Sequence, residues 1–184
     1  MKPEAPLPDP TRDIERAFES VAGRMHGLAF VNPALRVQAV GFEPWEGHWF
    51  GVLITPWSIN LMLLPHERSA WQPVCPGLKR RFSFPAGDFE FIDALDTVFG
   101  EYRMCSLFSP AMEFEDHAAA ELVARLARQA LFDASLDEAA RTPAGESSTD
   151  TLAQIGEQAA RPMSKRDFLR GRFLRGAEFD DRRG

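Results

Sequence analysis

The sequence predicts an α+β domain. It has a mainly antiparallel sheet of about five or six strands packed with an N-terminal and a C-terminal helix, followed by a flexible basic tail. Three observations carry this. Helical periodicity is confined to the two ends of residues 10–138, with strand-type sequence between them. Turn signals separate the strand candidates, and two of these form a hairpin. From residue 139 to 160 the aromatics disappear and Ala, Ser, Thr, Gly and Glu take over, the composition of a linker.

In chain order, the Pro-rich residues 1–9 read as disordered. Asp9 can cap a first helix with Pro10 at its first position. Ile14, Ala17, Phe18, Val21, Ala22 and Met25 then recur at helical spacing, and Gly27 supplies a stop. Residues 36–42 form a first strand, with Val37, Ala39 and Gly41 on one side and Gln38, Val40 and Phe42 on the other. "EPWEG" turns the chain. "HWFGVLIT" (48–55) and "WSINLMLL" (57–64) follow, apolar at nearly every position, as strands buried on both faces are. Asn60 interrupts the second and reads as a hydrogen-bonded core amide or a residue near a sheet edge. Residues 65–78 are a Pro-containing loop. "KRRFSF" (79–84), the turn "PAG" and "DFEFI" (88–92) make the hairpin, and "EYRMCSLF" (101–108) a last strand. Ser109-Pro110 can start a second helix, placing Glu113, Glu115 and Asp116 in early turns that favour negative charge. Ala119, Leu122, Val123, Leu126 and Ala130 give that helix its apolar stripe, Glu121 and Arg125 an i,i+4 ion pair, and fraying is expected past Leu136.

The chain of 184 residues divides into a disordered start (1–9), one folded domain (10–138), a linker (139–160) and a basic tail (161–184). Hydrophobic residues at 45% and charged residues at 26% are ordinary for a globular chain. Fifteen Phe against one Tyr point to a Phe-packed core rather than an adaptable Tyr-rich surface. The net charge of -6 argues against nucleic acid as a partner. It is unevenly placed: residues 1–138 carry 12 Lys and Arg against 20 Asp and Glu, whereas 161–176 hold six basic residues and one acid. "MKPEAPLPDP" lacks the apolar core of a signal peptide, and no run reaches the ~18 apolar residues of a membrane span. The expectation is a reduced, cytoplasmic protein that is not integral to a membrane.

No catalytic set stands out. Cys75 and Cys105 could pair as nucleophiles with His26, His48, His66 or His117, but no spacing matches a catalytic family. Cys105 sits in apolar strand sequence, where cysteine is a small core residue; Cys75 lies in a loop between prolines. His48, His66, Cys75 and Cys105 could converge on a metal, though nothing in their spacing indicates it. No phosphate-binding glycine loop is present, and Asp88/Glu90 and Glu113/Glu115 read as solvated carboxylates. The expectation is no catalytic residue, no metal and no cofactor. Of the four tryptophans, Trp45, Trp49, Trp57 and Trp71, the first and last fall in loop-type sequence, where tryptophans mark interaction surfaces. Near the C-terminus, Ser164, Lys165, Arg166, Phe168, Leu169 and Arg170 have the order of a twin-arginine export motif, with Lys165 replacing the first arginine and no apolar run following.

Three longer strings add a resemblance. "GLAFVNPALRVQAVGFEPWEGHWFGVLITPWSINLMLLP" (27–65), "FPAGDFEF" (84–91) and "EYRMCSLFSPAMEFEDHAAA" (101–120) resemble the HybE/HupJ/HoxT family of [NiFe]-hydrogenase assembly chaperones. The resemblance runs from about residue 12 to about 135 and leaves the tail outside. It implies a non-enzymatic cytoplasmic factor for uptake hydrogenases that are exported by the twin-arginine route. The implied partners are the small, iron–sulfur-bearing subunit precursor and its signal peptide, with other hydrogenase assembly factors, and in some systems the role includes protection from oxygen. A twin-arginine signal joins a basic motif to an apolar run, so its receptor needs carboxylates beside apolar surface. Glu113, Glu115 and Asp116, with Trp45 and Trp57, are the residues expected to supply it. The alternative is a metal- or cluster-handling maturation factor using Cys75, Cys105 and the histidines.

Overall fold

The computed structural model describes residues 5–133. Six strands form one sheet: β1 (Gln38–Trp45), β2 (His48–Ile54), β3 (Ile59–Pro65), β4 (Lys79–Phe84), β5 (Gly87–Asp96) and β6 (Gly100–Phe108). Their spatial order is β1-β2-β3-β6-β5-β4, and every neighbouring pair is antiparallel. Two three-stranded meanders thus join where β3 meets β6. Helices α1 (Thr11–Met25) and α2 (His117–Leu131) flank the strands in sequence, and they cover opposite faces of the sheet.

The central strands explain that arrangement. Along β3 the residues Ile59, Leu61 and Leu63 face the α2 core, while Met62 and Leu64 face the α1 core. Both sets are essentially removed from solvent, which one helix layer alone could not achieve. Asn60 sits in this central strand as a buried amide, away from any sheet edge, and donates to Ser58 Oγ at 2.9 Å. Helix α1 buries Ile14 and Ala17 and stacks Phe18 against Trp57 and Phe99, at centroid distances of 6.4 and 6.0 Å. Helix α2 buries Ala120, Val123, Ala124, Ala127 and Leu131. The expected stripe is therefore rotated: Leu122 and Leu126 are exposed. The sheet face below α2 already carries Phe50, Phe84 and Phe91, so the helix approaches with its small residues.

Boundaries differ in ways that have local causes. Leu7 does not belong to a free N-terminus: its N–H donates to His66 O (2.8 Å) and its carbonyl accepts the Trp49 indole N–H (3.1 Å). Helix α1 begins one residue later than expected, at Thr11, with Pro10 as N-cap; Asp9 Oδ1 accepts the Thr11 N–H at 2.9 Å. Strand β1 continues through the expected turn to Trp45, because only Glu46 and Gly47 are needed for it; both have positive φ (46° and 76°), the two-residue hairpin geometry. Trp45 is accordingly a strand residue. Strand β5 runs on to Asp96, beyond the expected 92.

A bulge also reverses one side chain. Val40 pairs with Val52, but Glu43 pairs with Phe50, so Gly41 and Phe42 together oppose Gly51. Gly41 takes φ 62° to make this possible. The extra residue moves Phe42 from the Val40 side to the α1 side, where it packs beside Trp49. Its ring lies over Gly51: a Cβ there would come within 2.4 Å of Phe42 Cδ2.

An ion cluster lies inside the sheet's other half. Arg103 on β6 and Asp93 on β5 point inward, with side chains only 1% and 0% exposed. Arg103 Nε donates to Asp93 Oδ1 at 2.8 Å, and Arg80 Nε to Asp93 Oδ2 at 2.9 Å. The Cys75 N–H also donates to Asp93 Oδ2 (2.9 Å), and Arg103 reaches the Gln72 carbonyl. The Arg103 guanidinium sits 3.9 Å from the Trp71 ring centre, and the Trp71 indole donates to Glu101 Oε2 at 2.7 Å. The cluster thereby fastens the 65–78 connection onto the sheet. Burial alone would raise the Asp93 pKa, but the Cys75 N–H, Arg80 and Arg103 together outweigh it and hold the carboxyl below its ordinary value.

Two stability outcomes follow from this packing. Gly51→Ala should lower unfolding free energy by about 1–3 kcal/mol in chemical denaturation. It should act non-additively with Phe42→Ala, which vacates the space. Asp93→Asn, which leaves two guanidiniums underpaired, should cost about 3–5 kcal/mol. In the parent chain, the stability due to Asp93 is present above the unfolded pKa of about 3.9 and is lost as pH falls through the lower folded value, so acid titration of Asp93→Asn should show a shallower limb.

Candidate functional site

Three connections meet at one end of the sheet: residues 26–37 after α1, the β2–β3 turn at 55–58, and residues 109–116 before α2. Asn32 joins them. It is buried, its N–H donates to Pro56 O (2.7 Å), and its side-chain amide donates to Ala111 O (3.0 Å) and Phe114 O (2.8 Å). Its Oδ1 accepts the Ala34 N–H, so the amide is used at both ends. The Ala111 N–H donates in turn to Trp57 O at 3.2 Å.

Residues 109–116 are consequently shaped by what they bury. Ala111, Phe114 and His117 point inward, and Phe114 packs its ring against Phe108 at 5.0 Å. Met112, Glu113, Glu115 and Asp116 are left outward. Helix α2 therefore starts at His117, later than Ser109-Pro110 suggests, and Glu113 and Glu115 belong to the loop rather than to a first helical turn. Only Asp116 serves the helix end, accepting the Ala119 N–H at 2.7 Å. Leu28 and Phe30, from the neighbouring connection, are 45% and 46% exposed, and Met112 is 48% exposed. Three carboxylates and three large apolar side chains are thus exposed on two loops that Asn32 joins, referred to below as the rim.

His117 anchors the rim to the sheet edge. Its Nδ1 accepts the Arg36 N–H at 3.3 Å, so that nitrogen carries no proton; Nε2–H then donates to Gln38 Oε1 at 2.5 Å. Burial lowers the pKa of His117, and the nearby Arg36 charge lowers it further, against the opposing pull of Glu121 and Asp116. The neutral ring is thus the form that the fold holds.

The structure divides the other expected residues. Trp57 lies at the rim, half-buried, with its ring on Phe18 and its carbonyl bound to Ala111. Trp45 lies at the far end of β2, stacked on Phe84 with centroids 4.3 Å apart, and is not brought to the acids. Cys105 is buried opposite Leu61 in the β3–β6 pair, while Cys75 is exposed in the 65–78 connection. Among the described residues, no three His, Cys, Asp or Glu side chains gather in a way that could hold a metal ion. Ser164, Lys165, Arg166, Phe168, Leu169 and Arg170 lie outside the described residues. Sequence reasoning missed Leu28, Phe30, Met112 and Asn32. The available signal was the apolar "LAFV" between Gly27 and the Asn32-Pro33 turn, which has neither helical nor alternating spacing.

A groove of about 600 Å³ runs between β1 and α2, lined by Gln38, Gly41, Glu121, Arg125, Arg128 and Phe132 among others. Its charges are matched internally, Arg125 by Glu121 and Arg128 by Glu43.

Comparison with known proteins assigns the family. The family model described as "[NiFe]-hydrogenase assembly, chaperone, HybE" matches residues 9–171. The chain belongs to the HybE family of [NiFe]-hydrogenase assembly chaperones. The HybE match extends past residue 135 and takes in Ser164–Arg170, a stretch that the sequence resemblance had left outside. The chain is 36% identical over 148 residues to the hydrogenase expression/formation protein HupJ of Bradyrhizobium diazoefficiens, covering 80% of this chain and 78% of that one. It is 43% identical over 131 residues to protein HoxT of Cupriavidus necator, covering 63% and 72%. A longer relative, the probable rubredoxin HupJ of Rhodobacter capsulatus, is matched over only 40% of its length, at 38% identity over 60% of this chain. The solution structure of HybE from Escherichia coli superposes with a TM-score of 0.59 at 25% identity, over 85% of this chain and 98% of that one. No helix among the described residues is long and apolar enough to cross a membrane.

The His117 geometry yields a pH outcome. Because its folded pKa lies below the unfolded value of about 6.5, the folded state loses stability as pH falls from that value towards the folded one. Hydrogen-exchange protection of the Arg36 amide should therefore decline between pH 7 and pH 5. It should stay level in His117→Asn, whose amide oxygen can accept the same bond without titrating.

Proposed function

We propose that this HybE-family protein is a non-enzymatic chaperone that binds the small, iron–sulfur-bearing subunit precursor of a [NiFe] uptake hydrogenase in the cytoplasm, through its twin-arginine signal peptide, before export. Shielding of the bound subunit from oxygen belongs to the same reading, as does contact with other hydrogenase assembly factors. The observation that supports it is that exposed Glu113, Glu115, Asp116 and Met112 lie on a loop that Asn32 joins to the one carrying exposed Leu28 and Phe30. A twin-arginine signal presents the complementary order, guanidiniums followed by an apolar run.

The magnitudes assign different tasks to the two halves. Exposed guanidinium–carboxylate pairs are worth about 0–1 kcal/mol each, so the acids set orientation and association rate more than affinity. Covering apolar side chains contributes about 25 cal/mol per Å² removed from water. Most of the affinity then comes from Leu28, Phe30 and Met112, and discrimination between signals from the carboxylates.

The triple variant Glu113→Lys, Glu115→Lys, Asp116→Asn tests this reading. Asn keeps an oxygen for the Ala119 N–H, so α2 retains its cap. Isothermal titration with a synthetic signal peptide of the cognate small subunit should show affinity at least tenfold weaker, and less dependent on salt. The variant Leu28→Ser/Phe30→Ser should also weaken binding while leaving the salt dependence unchanged. Parent-like affinity in both variants would remove the rim as the binding surface.

A further inference from the structure

We infer that the rim is a docking surface for a segment of its own chain, residues 163–173, which competes there with the client. The inference rests on the rim as a binding surface and adds its resident occupant. The segment reads "MSKRDFLRGRF": Lys165, Arg166, Arg170 and Arg172 are interleaved with Phe168, Leu169 and Phe173, with Asp167 the single acid. The rim has the matching inventory, Glu113, Glu115 and Asp116 beside Leu28, Phe30 and Met112. The described body carries the negative charge of the chain, whereas 139–184 has 9 basic residues against 7 acidic ones. The charge asymmetry therefore favours contact between tail and body over contact among tails.

Chain geometry agrees. Helix α2 begins at the rim with His117 and carries the chain away from it to Leu131. At 1.5 Å per residue, the exit point lies about 20 Å from the rim. Twenty-nine residues lie between Asp133 and Met163. A linker of that length, if it spans as a flexible chain does, reaches about 27–32 Å root-mean-square, more than the distance to be covered. A tether long enough to span the sites gives an effective concentration near millimolar, at which even a weak local site is largely occupied. The lysine at position 165 and the missing apolar run make the segment a weaker ligand than a complete signal, as a displaceable occupant has to be.

Zero-length carbodiimide cross-linking of the full-length chain, read by mass spectrometry, tests the contact directly. The chain has only three lysines, Lys2, Lys79 and Lys165. The Lys79–Glu90 pair, at 2.9 Å, provides an internal reference. The expected product is a Lys165 link to Glu113, Glu115 or Asp116 in the monomer. In Arg166→Glu/Arg170→Glu it should fall at least fivefold relative to the reference link, and signal-peptide affinity should rise several-fold. Lys165 links elsewhere, links found only in dimers, or a tail that binds anionic phosphatidylglycerol vesicles while giving no rim link would each overturn the inference. The two readings fail separately. A Lys165 link without any effect of the rim variants on signal-peptide binding leaves the tail contact standing and removes the client site; the reverse result does the opposite.

Discussion

Strands β2 and β3 are apolar on both faces, and the rest of the molecule is a consequence. A sheet with two apolar sides needs a layer on each, so α1 and α2 go to opposite faces. The chain leaves α1 and enters α2 at the same end of the sheet, and the 26–37 and 109–116 connections are forced together there, beside the β2–β3 turn. One buried amide, Asn32, then supplies hydrogen bonds to backbone that neither helix nor strand can satisfy. Loops joined through one buried amide are the outcome of central strands that are too apolar to face water.

The elements legible in sequence were those with a strong period. The two doubly apolar runs, the 79–84 strand and the amphipathic first helix all declare themselves by which positions avoid polarity. The start of α2 did not, because Ser109-Pro110 is a good helix opener locally while Ala111 and Phe114 have a better use as plugs for the loop. Phe42 was assigned to the wrong face because alternation cannot register a bulge, although Gly41 marks the position where one fits. The rotated stripe of α2 has a similar cause: hydrophobicity ranks Leu122 above Ala120, but the space left by the sheet's phenylalanines ranks them the other way. At the candidate site, the acids were visible as a charge cluster. Their apolar companions were not, since the loop of Leu28 and Phe30 is joined to that of Met112 only through the buried Asn32.

The buried Asp93–Arg103–Arg80 cluster shows how polarity is distributed in this domain. Arg103 occupies an inward position in line with Cys105 and Leu107, where a purely apolar choice would serve packing better. What the ions provide is direction. Asp93 accepts from the Cys75 backbone as well as from two guanidiniums, so a long connection without regular structure is held in one place. The rim uses the same device with a neutral group, and His117 repeats it at the sheet edge. Each irregular segment is located by one buried polar side chain of defined hydrogen-bonding capacity.

The two outer strands show how the open sheet is kept from adding further strands. An open sheet invites any extended segment to add itself to the edge, which would turn a chaperone into a nucleus for aggregation. Here β1 is broken by the Gly41 bulge with the Arg128 side chain packed over it, and β4 opens with Lys79, Arg80 and Arg81 in succession. One edge is interrupted by a bulge and the other is lined by cations. Addition of a further strand at either edge would have to accommodate that bulge or those three cations, so the sheet disfavours contacts made through the peptide bonds every chain shares.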